Sequence, residues 1–205
     1  MHYCPTSITP LVGAAISLAG IIVGALIGIF AEPIRGRIFR PVLVVSFNER
    51  SDGCKALTTI NGNPPSAGYY IRAQVKTSKR RLAKSCRAYL VNVEQRTARG
   101  DYAPMNPKFD DSLPLRWSAQ FTDENPPLDL PSGISQFVDI ISTDSALPGF
   151  KVHARLINRY TKFFDNQPKV LRLTVLVTGD DVVPAEVKVI FDWRGQWDTF
   201  DVAPG

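Results

Sequence analysis

The chain has 205 residues and a formal net charge of +5, and hydrophobic residues make up 44% of the sequence. This length allows one compact domain with an appended segment and excludes two domains that each bury a sizeable core. Three cysteines are too few, and odd in number, for a secreted disulfide framework, and the modest charge does not indicate a nucleic-acid partner.

The first predicted element is a transmembrane helix over residues 11–31, after a short N-terminal segment over 1–10. The run of twenty residues from Leu11 to Phe30 has no charged side chain, and a helix of that length rises about 30 Å, the thickness of the hydrocarbon core of a bilayer. A cleaved signal peptide is the alternative. It would need a basic start, a shorter run and a better cleavage site than residues 29–31 offer.

Glycines mark one face of this predicted helix. Gly20, Gly24 and Gly28 lie four residues apart, a spacing that lets a second helix backbone approach closely in lipid. It predicts packing against a second copy of the chain or against another membrane protein. The alternative is that glycine is simply frequent in transmembrane helices.

Positive charge predicts the orientation. Arg35, Arg37 and Arg40 follow the apolar run in a basic linker over residues 32–41, and no lysine or arginine precedes the run. The positive-inside rule places these arginines at the inner membrane surface. We therefore expect a single-pass protein of the cell (inner) membrane, with the lipid bilayer as a partner and a cytoplasmic C-terminal domain. The inverted topology would give an export-side adhesin.

From residue 42 to 205 the hydrophobic period is two, which predicts β-strands. The clearest alternation runs from Tyr69 to Lys76, and a change of face is predicted before Val91. The eight predicted strands lie near residues 42–48, 69–76, 86–93, 113–117, 136–141, 152–156, 170–178 and 185–192. Sixteen prolines, fourteen glycines and no clear amphipathic helix predict an antiparallel β-sandwich or barrel, with a long surface loop near residues 97–127.

Two stretches of this domain share features with a known family. Residues 69–90 combine an alternating strand, a short basic turn and the strand AKSCRAYL, and residues 128–140 read LDLPSGISQFVDI, with a proline–glycine turn before a strand. These features resemble bacterial Ig-like domains of the adhesion-associated type. The resemblance implies an Ig-like β-sandwich that serves adhesion, assembly or ligand binding, and it implies no enzymatic activity.

Residues that could perform catalysis or bind a metal are scarce. The chain has two histidines, His2 and His153, and the second lies in a strand pattern typical of a packed or surface residue. No cysteines and histidines are spaced as zinc ligands. Cys54 and Cys86 could form a disulfide, but we expect buried free thiols in a reducing compartment. We predict no enzyme, no metal and no cofactor.

Positive charge is concentrated at one predicted turn, which contains Lys76, Lys79, Arg80, Arg81, Lys84 and Arg87. This basic turn predicts a site for an anionic ligand or for anionic lipid. The alternative is a solvated hairpin that protects a sheet edge.

Together, these features predict a membrane-anchored, non-enzymatic binding or assembly module that oligomerises through its helix. The alternative function is a ligand-gated sensor-effector that binds an anionic signal, such as a nucleotide, through the basic turn.

Overall fold

The computed structural model describes residues 40–51, 53–60, 64–78, 81–105, 108–120, 125–155, 160 and 164–205, together with Ala25 and Gly28. The chain divides into two compact units, Met1–Arg40 and Pro41–Gly205. Almost all of the first unit, including the predicted helix over 11–31, lies outside the described residues. Within the part that is described, no helix is long and apolar enough to cross a membrane.

The predictions for the first unit can therefore be placed at only two positions. Gly28 is helical and exposed, and no heavy atom lies within 4 Å of a Cβ built on it. Arg40 is exposed. The other glycines and arginines of the predicted anchor, Gly20, Gly24, Arg35 and Arg37, lie outside the described residues.

Twelve β-strands lie in the described part of the second unit. They are β1 (Leu43–Ser46), β2 (Lys55–Ile60), β3 (Ser66–Thr77), β4 (Ala83–Arg96), β5 (Tyr102–Pro104), β6 (Leu113–Trp117), β7 (Leu128–Leu130), β8 (Gln136–Asp144), β9 (Phe150–Val152), β10 (Lys169–Asp180), β11 (Ala185–Gln196) and β12 (Thr199–Pro204). Neighbouring strands pair in the order β1-β3-β8-β6-β4-β10-β11-β12, with β2 beside β3, β5 and β7 beside β4, and β9 beside β8. The pairing is antiparallel and the sheet curls into a half-barrel, which confirms the predicted mainly β class.

The curl brings aromatic side chains from distant strands into one core. Tyr69 of β3 lies 5.3 Å, centroid to centroid, from Phe200 of β12. Phe150 of β9 lies 5.0 Å from Phe191 and 5.3 Å from Trp193, both on β11. Edge-to-face packing of large rings buries much apolar area and adds a directional preference. These contacts therefore hold one half of the curled sheet against the other.

Alternation on β3 and the change of face on β4 are both confirmed. Ile71, Ala73 and Val75 are fully buried, whereas the residues between them are half-buried. On β4, Leu90 and Val93 are both buried, and the register with β10 shifts opposite this point. A β-bulge there adds one residue and changes which side chains face the core.

The region near residues 97–127 contributes to the core. It contains β5 and β6, and Met105 and Phe109 are buried at 7% and 3% exposure. The Phe109 ring packs 4.8 Å from that of Tyr160, whose hydroxyl donates a hydrogen bond to Asp110. The segment is therefore more than a surface loop, because two of its apolar side chains anchor it.

The strands that flank the basic turn do not form a hairpin. Strands β8 and β6 lie between β3 and β4 in the sheet order, so the connection crosses from one part of the curled sheet to another. Alternation along each strand was predicted correctly, but it contains no information on whether consecutive strands pair.

Candidate anion-binding cleft

A buried carboxylate lies in the sheet between two strands that each carry an arginine. Asp139 of β8 is directly opposite Arg72 of β3 on one side and Arg116 of β6 on the other. Arg72 Nε donates to Asp139 Oδ1 at 2.9 Å and Arg116 Nη2 donates to Oδ2 at 3.0 Å, while the Ser118 hydroxyl also donates to Oδ1. The register of three strands therefore assembles this ionic cluster.

The cluster carries an excess of positive charge. The Asp139 side chain is 2% exposed, and those of Arg72 and Arg116 are 23% and 27% exposed. One carboxylate can offset one of the two guanidinium charges. Arg116 Nε is buried and has no hydrogen-bond partner in the described part of the chain. The carboxylate thus fixes the orientation of Arg116 while leaving part of its donor set unused.

His153 follows β9 and lies beside this cluster. Its Nε2 atom lies 2.9 Å from Ser142 Oγ, and its ring stacks on Tyr70 at a centroid distance of 5.3 Å. Burial lowers the pKa of His153 to about 4; the nearby Asp139 opposes this shift and Arg116 reinforces it. The imidazole is therefore neutral near pH 7.

An open cavity of about 420 Å³ adjoins these groups. Its lining includes Arg116, Asn125, His153, Lys151 and Arg155. Lys151 and Arg155 are exposed, and neither has an ion-pair partner among the described residues. We call this cavity and its lining the cationic cleft. Three positive side chains around one concave space favour an anion there.

The same contacts argue against nucleophilic catalysis at Ser142. A serine–histidine pair needs an accessible hydroxyl and a histidine oriented by an acid. Ser142 is 7% exposed within β8, and the acid that acts on His153, Asp139, already accepts from two arginines and a serine. A histidine whose pKa is lowered to about 4 is also a weak base at neutral pH. The Ser142–His153 pair therefore does not match the arrangement of an activated serine nucleophile.

The described ranges contain few other residues that could bind a metal or act as a nucleophile. No group of three or more histidine, cysteine or acidic residues in those ranges could hold a metal ion. Cys54 and Cys86 are both buried and unpaired, as predicted. Burial, reinforced by the nearby Asp129 and Asp180, raises the pKa of Cys86 to about 11. This thiol is therefore unreactive in the folded state.

The basic turn is only partly described. Its exposed members are Lys76, Arg81, Lys84 and Arg87, and Lys79 and Arg80 lie outside the described residues. Lys76 is on β3, whereas Lys84 and Arg87 are on β4, where Lys84 is opposite Asp180 in the register with β10. An acid thus faces part of the basic turn, as Asp139 faces Arg116 in the cationic cleft.

Sequence reasoning missed the residues of the cationic cleft. One signal was available, because Asp139 is the single acid within the apolar stretch QFVDIIS. A charge inside an apolar strand requires a partner. Arg72 and Arg116 could not be identified as those partners, because β3, β6 and β8 are neighbours in the sheet but not in the chain.

A comparison with protein-family models finds no match for this chain, and a comparison with curated protein sequences also finds none. The class of protein is therefore defined by the structure itself: a mainly β, antiparallel half-barrel with a cationic cleft on its surface.

Proposed function

We propose that this chain is a membrane-tethered, non-enzymatic binding module whose second unit binds an anionic ligand in the cationic cleft. One observation carries the proposal: Arg116, Lys151 and Arg155 line one cavity, and among the described residues the only acid paired with Arg116 is already shared with Arg72. An anion bound there would accept charge-assisted hydrogen bonds from several side chains at once, which an isolated exposed lysine cannot provide.

The apolar run supports the tether, and the family resemblance supports the class of function. An uncharged segment from Leu11 to Phe30 is long enough to span a bilayer. The arginines that follow it favour a cytoplasmic location for the second unit. An Ig-like sandwich, as the resemblance implies, is a scaffold for binding and assembly.

Charge reversal tests the location of the anion site. The full chain in nanodiscs of zwitterionic lipid is titrated calorimetrically with inorganic phosphate at low ionic strength. Lys151→Glu with Arg155→Glu should weaken binding at least about tenfold, since two attractive charges become repulsive. Lys84→Glu with Arg87→Glu is the matched control, because it changes the net charge equally and should leave binding within about twofold.

The opposite pattern would identify the second candidate function. If the control pair abolishes phosphate binding and the cleft pair does not, the ligand binds at the basic turn, as the sensor-effector hypothesis requires. Equal losses in both pairs would show that only net charge matters, and no specific site would then exist.

Oligomerisation is the other part of the proposal. Gly24→Leu would block close helix approach at the centre of the glycine face, whereas Ala25→Leu adds a side chain of the same size one position away. Chemical crosslinking in membranes should detect fewer dimers or higher oligomers for Gly24→Leu only. Equal crosslinking in both variants would remove the glycine face from the proposal.

A further inference from the structure

A second cavity, of about 400 Å³, continues the cationic cleft on one side. The two cavities share Arg116, Lys151 and His153 in their linings. The further lining of the second cavity is mostly apolar or aromatic and includes Ile60, Tyr70, Leu147, Pro148 and Phe150, with Ser142 and Asp144 as its polar members. A charged compartment and an apolar compartment therefore meet at the same three side chains.

Leu147 is an exposed apolar residue in the lining of this compartment. It lies in the turn between β8 and β9 and is 64% exposed, the largest exposed fraction among the large apolar side chains described. Its backbone N donates to Asp144 O at 3.3 Å, and Ala146 N donates to Asp144 Oδ1 at 2.8 Å. These bonds fix the turn, so the leucine is presented beside the cleft by a defined backbone.

The residues shared by the two compartments suit a ligand that has both a charged group and an apolar group. The His153 ring is neutral at neutral pH and stacks on Tyr70, so it adds no charge that an apolar group would have to desolvate. Arg116 is oriented by Asp139 from the other side. An anionic group and an apolar group of one small molecule could therefore both be accommodated.

We infer that the ligand of the cationic cleft is a small amphipathic organic anion. Its phosphate or carboxylate group binds at Arg116, Lys151 and Arg155, and its apolar group packs against Leu147, Pro148 and Ile60. This inference rests on the proposed function, because it needs the anion to bind in the cleft. It adds that an inorganic anion or a small polar one is an incomplete ligand.

Paired ligands test the apolar compartment. Methyl phosphate and phenyl phosphate have the same charged group, and both are titrated into the full chain in zwitterionic nanodiscs. The wild type should bind phenyl phosphate about tenfold more tightly, the ratio given by burial of roughly 60 Å² of apolar surface. Benzoate, titrated in parallel, shows whether the charged compartment prefers phosphate or carboxylate.

Two substitutions locate the effect. Leu147→Asn removes the exposed apolar side chain and should reduce the ratio to less than about threefold, leaving methyl phosphate binding unchanged. Ile134→Asn is the matched control: Ile134 is 49% exposed and does not line either cavity, so the ratio should stay near its wild-type value.

The outcomes separate this inference from the proposed function. Equal affinity of the wild type for the two phosphates would overturn the inference, while loss of methyl phosphate binding in the Lys151→Glu, Arg155→Glu variant would still support the anion site. An unchanged ratio in Leu147→Asn would also overturn the inference. If neither phosphate binds, both proposals fail.

Discussion

Asp139 joins three strands beside the cationic cleft, because both arginines that contact it come from other strands. Asp139→Asn would leave two partly buried guanidinium groups without a counter-charge, and we expect a loss of about 3 kcal/mol in the free energy of unfolding. Urea denaturation followed by tryptophan fluorescence measures this, since Trp117 and Trp193 are buried.

The surface pair between Arg194 and Asp201 is the control for this prediction. The Asp201 side chain is 64% exposed, so Asp201→Asn should cost less than about 1 kcal/mol. If the two substitutions lower the free energy of unfolding equally, Asp139 does not stabilise the ionic cluster as its position between β3 and β6 indicates.

Because the imidazole of His153 is buried, we expect the stability of the fold to decrease as the pH falls. Its pKa falls from 6.5 to about 4 on folding, chiefly because the ring is buried. Between pH 6.5 and about 4, the unfolded chain binds a proton at His153 that the native state does not bind. The contribution of His153 to the free energy of unfolding is therefore full above pH 6.5 and decreases as the pH falls toward 4. We expect His153 to account for a loss of about 2 kcal/mol, allowing for partial solvent screening.

The variant His153→Gln isolates this contribution. Carboxylates also titrate in the same range, so the informative quantity is the difference between wild type and variant in the free energy of unfolding at about pH 7.5 and about pH 4.5. The wild type should lose more stability on acidification. Parallel losses would contradict the burial of a neutral imidazole.

At the scale of elements, the pairing of β3 with β8 depends on a glycine. A Cβ atom added to Gly68 would overlap the carbonyl oxygen of Thr143, which is backbone and cannot rotate away. Gly68→Ala should therefore cost about 3 kcal/mol or more in unfolding free energy. Thermal or urea denaturation measures the loss.

Gly133 provides the matched glycine control. Its φ is +78° and no heavy atom lies within 4 Å of an added Cβ, so Gly133→Ala introduces backbone strain without a clash. We expect a cost of about 1 kcal/mol. An equal effect at the two glycines would mean that β3 can move away from β8 at little cost.

Strands β3 and β11 were predicted from the sequence, and so was the edge strand β1, whereas β2 and β12 were not. Strands β3 and β11 alternate clearly because every second side chain reaches the core. In contrast, β2 contains Leu57 at 62% exposure, and β12 ends in a proline at the edge of the sheet. Strand β2 therefore has no fully buried face, and β12 is short and ends at a proline, so neither provides a long alternating pattern.

The cationic cleft could not be predicted for a related reason. Asp139 was visible as a charge in an apolar strand, but its partners depend on the pairing of β8 with β3 and β6. Strand order and register between non-consecutive strands arise from the packing of the whole sheet. A search for runs of charge along the chain selected the basic turn instead, because those residues are close in sequence.

At the scale of the whole molecule, the proposals place an anion-binding unit at the cytoplasmic surface of a membrane. The ionic cluster is built from the sheet of the second unit, and the proposed tether lies in the first unit of the chain. Orientation therefore decides which ligands the cationic cleft can meet. A cytoplasmic cleft would meet metabolites and nucleotides, whereas an inverted chain would meet extracellular anions or another surface.

The three native cysteines make this orientation measurable without added tags. Cys54 and Cys86 are 1% and 0% exposed, and burial raises the pKa of Cys86 to about 11, so a maleimide should not modify either in the folded protein. Cys4 precedes the predicted helix. A membrane-impermeant maleimide should label wild-type chain in right-side-out vesicles but not in sealed inside-out vesicles, and Cys4→Ser should abolish the signal. Denaturation in detergent should expose all three thiols, which checks that the reagent is active. Labelling confined to inside-out vesicles would show the inverted orientation and favour the adhesin hypothesis.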